Sequence, residues 1–152
     1  MNNSKVRDPV QFAALPFRIG EDGKPRVMLL TSRETRRWVI PKGWPMPGRT
    51  PREVAAQEAF EEAGLLGTVV GKHPVGCYHY SKQLSPNRSI LCEVSVFLLR
   101  VDRQLDDWPE KRQRETRWFD PSEACELVDE GELAELLRHT MNVKPVPQAD
   151  VR

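Results

Sequence analysis

The spacing of apolar and polar residues changes several times along the chain, and each change marks an element. Residues 11–19 (QFAALPFRI) and 26–31 (RVMLLT) read as strands, and the Asp22-Gly23 pair between them favours a tight hairpin turn. Trp38 to Ile40 is a short apolar run ended by Pro41, a third strand leading into a glycine-containing loop. Thr50-Pro51-Arg52-Glu53 is a capping box with proline at the first helical position, so a helix starts there; Gly64 marks its end. Residues 68–80 and 90–101 read as longer strands, and the polar stretch SKQLSPNRS between them as a loop able to act as a lid. Trp118-Phe119 is a short apolar segment before Asp120-Pro121-Ser122-Glu123, a second capping box opening a short helix. A last helix is predicted from Glu132 to His139, with Leu133, Leu136 and Leu137 at helical spacing as core residues.

Strands dominate early, one well-capped helix interrupts them and two helices close the chain. This order predicts an α+β sandwich with a mixed β-sheet and flanking helices. Regular strand-helix alternation fails after residue 68, which argues against a doubly wound fold. With 152 residues there is room for one core. The expected domain covers residues 9–142, with residues 1–8 and 143–152 as loose tails.

Hydrophobic residues at 39% and charged residues at 30% are ordinary for a soluble globular chain. No apolar run is long enough for a membrane span, and the first residues lack the apolar centre of an export signal, so no membrane partner and a cytoplasmic location are expected. Cys77, Cys92 and Cys125 are then expected as buried thiols, not disulfides. Cys77, His73 and His79 lack the paired spacing of a zinc site.

The net charge of +1 conceals strong segregation. Arg33, Arg36, Arg37, Lys42, Arg49 and Arg52 face a single acid, Glu34, in the stretch that leads to the first helix. The helix itself ends in Glu58, Glu61 and Glu62 on one face, with no Lys or Arg between Glu53 and Gly64. Like charges four apart repel by roughly 0.2–0.5 kcal/mol, and carboxylates near a helix C-terminus also oppose the macrodipole. A positive partner is required. Oxygen donors of this kind suit a hard divalent cation, Mg²⁺ first and Mn²⁺ second, with Glu58 and Glu62 as ligands. Beside a basic stretch, such a cluster points to polyphosphate chemistry. Glu93, on a strand, is either a solvent-facing carboxylate or a second candidate base.

The run GWPMPGRTPREVAAQEAFEEAGL resembles the Nudix box, G-x5-E-x7-R-E-U-x-E-E-x-G-U, where U is a bulky apolar residue. Gly43, Glu58, Glu61, Glu62, Gly64 and Leu65 fall on motif positions, and Ala59 takes the first apolar place. Arg49 stands where the motif has its first glutamate and Gln57 where it has arginine, two positions that in the family support the turn and orient the carboxylates. More weakly, TSRETRRWVIPKG and RWFDPSEACELVDE are similar to segments of diphosphoinositol polyphosphate phosphohydrolases.

The resemblance implies a Nudix-type α/β/α sandwich and a Mg²⁺-dependent hydrolase. Its substrates would be diphosphoinositol polyphosphates or dinucleoside polyphosphates. It also implies a metal ligand from the Gly43 carbonyl, Glu61 as the group that deprotonates water, and substrate contacts from Ser32 and Arg33. Arg37 and Lys42 lie close enough in sequence to join them. Lys82 and Arg88, from the lid-like stretch, either close over substrate or serve as solubilising charge. Trp38 reads as core and not as a nucleobase platform. The competing readings are an RNA 5′-end or nucleoside triphosphate pyrophosphohydrolase and a non-catalytic nucleotide-binding module. The chain lacks the interleaved aromatic and basic residues of a single-strand binder, so nucleic acid is not the expected partner. A monomer or a homodimer is compatible with the sequence.

Overall fold

The computed structural model describes residues 9–144, so most of both predicted tails lies outside the described residues. The elements run β1 (Val10–Ile19), β2 (Pro25–Thr31), β3 (Trp38–Val39), β4 (Lys42–Gly43), α1 (Pro51–Ala63), β5 (Leu65–Val70) and β6 (Gly76–Ser85). They continue with β7 (Arg88–Gln104), β8 (Thr116–Phe119), α2 (Pro121–Leu127) and α3 (Gly131–Thr140). All eight strands join one mixed sheet. Its parallel pair, β1 with β7, registers Val10 with Glu93 through Phe17 with Arg100. No helix among the described residues is long and apolar enough to cross a membrane.

The sheet opens where the site will lie. Hairpin strands β1 and β2 pair at the turn, Phe17 with Val27 to Ile19 with Pro25, and then part. β3 continues along β2, with Leu30 opposite Val39, while β4 continues along β1, with Phe12 opposite Gly43. Between them Pro41 accepts a hydrogen bond from the Ala14 amide at 3.0 Å. The short segment from Trp38 to Gly43 therefore fills a wedge and is pinned on both sides.

Two cores flank the sheet. On one face Leu133, Leu136 and Leu137 of α3 pack with Leu15, Leu29, Tyr78, Val94 and Val96, as their spacing predicted. Trp38 packs against this core, edge-on to Phe119 at 5.0 Å between ring centroids, as does Val143. On the other face Ala55, Ala59 and Ala63 of α1 lie against Ala14, Met28, Phe97 and Leu99. Alanine at these three places lets the helix sit close to the sheet and brings its carboxylates within reach of β4.

Both ends of α1 match their sequence signals. Thr50 Oγ1 accepts from the Glu53 amide at 3.3 Å and Glu53 Oε1 accepts from the Thr50 amide at 3.0 Å, a reciprocal cap worth about 1 kcal/mol. Gly64 adopts φ 69° at the other end. The second predicted box does not form. Asp120 makes no side-chain cap to α2 and instead pairs with Arg26 at 3.3 Å.

Three other expectations change. The strand predicted at 68–80 is two strands, β5 and β6, both antiparallel to the long β7; residues 71–75 loop out between Val70, opposite Leu98, and Gly76, opposite Val96. The predicted lid is not a loop, because β6 runs to Ser85 and β7 starts at Arg88 in a continuous hairpin. Its polar side chains cover a ladder whose backbone groups are paired. Cys77 is exposed while Cys92 and Cys125 are buried, and none of the three forms a disulfide. Strand alternation explains it: Tyr78 takes the inward position and Cys77 the outward one.

Candidate active site

Backbone geometry at β4 brings the α1 carboxylates together. A Cβ at Gly43 would overlap the Glu58 carboxyl, so only glycine leaves that side chain its place. The next residue back, Lys42, donates its amide to Glu62 Oε2 at 3.1 Å. Glu62 is 4% exposed. Its carboxyl shares a hydrogen bond with that of Glu58. Burial pushes the Glu62 carboxyl well above the usual range, and the shared bond adds to this while Arg114 opposes it. Burial also raises Glu58, which the charges of Glu61 and Glu110 reinforce.

Glu61 is held separately. Gln57 Nε2 donates to Glu61 Oε1 at 3.0 Å, one turn back along the helix. The glutamine at the motif's arginine position therefore still orients a carboxylate, by a neutral hydrogen bond. Arg49 and Gln57 both line a shallow groove of about 270 Å³ beside α1. The turn is supported locally, since the Arg49 amide donates to Met46 O at 3.1 Å.

The positive partner required by the acidic helix end comes from residues that sequence reasoning missed. Arg114 Nη2 lies 3.1 Å from Glu62 Oε1, its Nε donates to Glu110 Oε1 at 3.0 Å, and its Nη1 donates to Thr31 O at 3.3 Å. The loop that carries it also closes the helix terminus. Gln104 Nε2 donates to Ala63 O at 2.9 Å and Trp108 Nε1 to Glu62 O at 3.2 Å. The Glu110 amide donates to Glu61 O at 3.0 Å and the Leu105 amide to Gly64 O at 2.8 Å. The orphan carbonyls of the last turn are thus satisfied from outside the helix. Trp108, a lone aromatic in a polar run, was the one sequence signal that this loop docks anywhere.

The predicted phosphate-binding residues divide. Lys42 Nζ stands over the Tyr80 ring at 4.8 Å, and the charges of Glu62, Glu130, Lys82 and Arg114 all act on it. Burial lowers the Lys42 ammonium, and the two glutamates oppose that. Lys82 therefore belongs to this neighbourhood, on β6. Arg33 reaches the Arg114 loop, donating to Gln113 Oε1 at 3.2 Å and lying 3.9 Å from Glu110. Ser32 is engaged within its own turn, with its Oγ 2.5 Å from Thr35 Oγ1 and accepting from the Arg37 amide at 3.2 Å. Arg37 turns to Asp129 at 3.3 Å. Arg88 is exposed at the hairpin tip, opposite Ser85. Glu93 pairs with His79 across the ladder and acts on Cys77, away from Tyr78 and Val94, which face the α3 core.

A wedge-filling β4, a glycine against a helix glutamate and an acidic helix end are the structural form of the sequence motif. The NUDIX domain profile matches residues 10–140, and the chain belongs to this family. Nudix hydrolase 12, mitochondrial, of Arabidopsis thaliana is 36% identical over 107 residues, covering 68% of this chain and 52% of that protein. The chain thus spans about half the length of that relative. Diphosphoinositol polyphosphate phosphohydrolase 3-beta of Bos taurus is 28% identical over 137 residues, covering 84% of this chain and 76% of the relative. Among solved structures, the C. elegans Ap4A hydrolase superposes with a TM-score of 0.64 at 20% identity, covering 90% of this chain and 98% of that one. At that identity the likeness concerns the fold.

Proposed function

We propose that the chain is a Mg²⁺-dependent Nudix hydrolase that cleaves phosphoanhydride bonds in polyphosphorylated small molecules, diphosphoinositol polyphosphates or dinucleoside polyphosphates. The observation that carries this reading is the pairing of Glu58 and Glu62 carboxyls against the Gly43 backbone, with Lys42 and Arg114 alongside. The Glu62 carboxyl is buried and that of Glu58 half-buried beside it, and burial raises both, so a bound cation would offset what burial costs them.

The donor set fits a hard ion. The ligands would be the Glu58 and Glu62 carboxyls and, as the family resemblance implies, the Gly43 carbonyl, with water completing the shell; among the described residues no three His, Cys, Asp or Glu side chains converge. Mn²⁺ satisfies the same chemistry. When bound, the ion neutralises phosphate charge and acidifies water.

Glu61, held by Gln57, takes the proton of the attacking water. Arg33, Lys42 and Lys82 bind phosphate oxygens, and arginine suits bidentate contact. Arg114 keeps Glu62 in place while balancing its charge. The test is a panel of phosphoanhydrides assayed with and without Mg²⁺, together with Glu62→Gln. Turnover that survives chelation, or an unchanged kcat in that variant, would overturn the reading.

A further inference from the structure

The loop that closes α1 also brings a carboxylate to the basic side of the site. Its backbone is fixed there: the Glu110 amide donates to Glu61 O at 3.0 Å, and Trp108 Nε1, from two residues earlier, to Glu62 O at 3.2 Å. One oxygen of Glu110 then serves two cations. Oε1 accepts from Arg114 Nε at 3.0 Å and lies 3.9 Å from Arg33 Nη1. Arg114 in turn meets Glu62 at 3.1 Å, so ion-pair contacts run without a break from Glu62 to Arg33.

The two guanidinium side chains differ in what a dissolved anion can reach. Arg114 is 10% exposed and Arg33 59%. Arg33 Nη1 also donates to the neutral Gln113 Oε1 at 3.2 Å, which keeps the arm beside the loop without cancelling its charge. An ion pair as long and open as Arg33 with Glu110 is weak, whereas a guanidinium binds phosphate oxygens by short, bidentate, charge-assisted bonds. A phosphate can therefore draw Arg33 away from Glu110. We propose that Glu110 sorts substrates by phosphate number: it holds Arg33 in the free protein and yields it only to a polyphosphate chain that extends beyond the diphosphate at Glu58 and Glu62. A diphosphate at the acidic helix end leaves the Arg33–Glu110 contact in place. A third phosphate takes Arg33 over. This inference rests on the functional reading above and names a residue that sets its substrate range.

The experiment measures calorimetric dissociation constants for inorganic tripolyphosphate and inorganic pyrophosphate, both with saturating Mg²⁺. The proteins are the wild type, Glu110→Gln, Arg33→Ala and the double variant. Glutamine keeps an acceptor for Arg114 Nε, so the loop stays docked. Glu110→Gln tightens tripolyphosphate by about two- to fivefold, the equivalent of one exposed ion pair, and leaves pyrophosphate unchanged. In the Arg33→Ala background the same substitution has no effect on either ion. Equal tightening with and without Arg33 would mean only the loss of a negative charge, and it overturns the inference. So does equal tightening of both ions, unchanged or weaker tripolyphosphate binding in Glu110→Gln, or a wild type that binds neither. The functional reading is judged apart from this, by hydrolysis in the phosphoanhydride panel, and stands whenever the wild type turns that panel over.

Discussion

Arg114 meets Glu62 at 3.1 Å, with the two side chains only 10% and 5% exposed. The pair joins an irregular loop to the acidic end of α1. Removing the guanidinium would leave a buried carboxylate without its counter-charge, and such losses cost about 3 kcal/mol or more. Arg114→Ala is expected to lower the denaturant midpoint accordingly, and Arg114→Lys to recover part of the loss. Arg114→Ala also takes from Glu110 the nearer of its two cationic partners, leaving Arg33 at 3.9 Å. An Arg114→Ala variant as stable as the wild type would remove this pair from any structural role.

Catalysis should respond differently to the three helix glutamates. Glu62→Gln keeps the size and an acceptor for the Lys42 amide, so the fold persists while turnover is nearly abolished. Circular dichroism and kcat measured on the same sample check both halves.

Glu61→Gln is expected to lower kcat by about 10² to 10⁴ while metal affinity stays within a few-fold. Gln57→Ala, which releases Glu61, should lower kcat by a smaller factor in the same direction. If Glu93→Gln proves more damaging than Glu61→Gln, the base is on β7.

Burial raises both Glu58 and Glu62 above the ordinary value of 4.5. The native protein then binds more protons than the unfolded chain between that value and the raised one, so stability falls as pH rises through the window. Metal-free protein should melt at a higher temperature near about pH 5.5 than near about pH 7.5, and added Mg²⁺ should raise the Tm more at the higher pH. Glu62→Gln should flatten the difference. A metal-free Tm that climbs between the two values would contradict the upward shift of these carboxyls.

Arg33→Ala and Lys42→Ala are expected to raise KM more than they lower kcat, because phosphate binding is largely the same in ground and transition states. For Arg33, the more exposed of the two, the effect should shrink with salt. A sugar nucleotide as best substrate, with both variants silent, would contradict the polyphosphate preference.

What the sequence made legible was local. Thr50, Pro51, Glu53 and Gly64 fix α1 through bonds to near neighbours, and the spacing of Glu58, Glu61 and Glu62 follows from the helix itself. What it concealed was long-range. Arg114, Glu110 and Trp108 sit in a polar, irregular run that reads as solvated surface, and their meaning lies in helix carbonyls and carboxylates far away in the chain. The hairpin from Gly76 to Gln104 was misjudged at its tip for a related reason: composition said loop, but the backbone ladder ran on beneath polar side chains.

The wedge between β1 and β2 gives the site an unusual dependence on the sheet. Lys42 and Gly43 are at once the patch that closes a gap in the sheet and the floor on which the carboxylates rest. The site has no hinge of its own at that point. Heating should therefore extinguish turnover and strand pairing in a single event, with no interval in which the molecule is folded but inert.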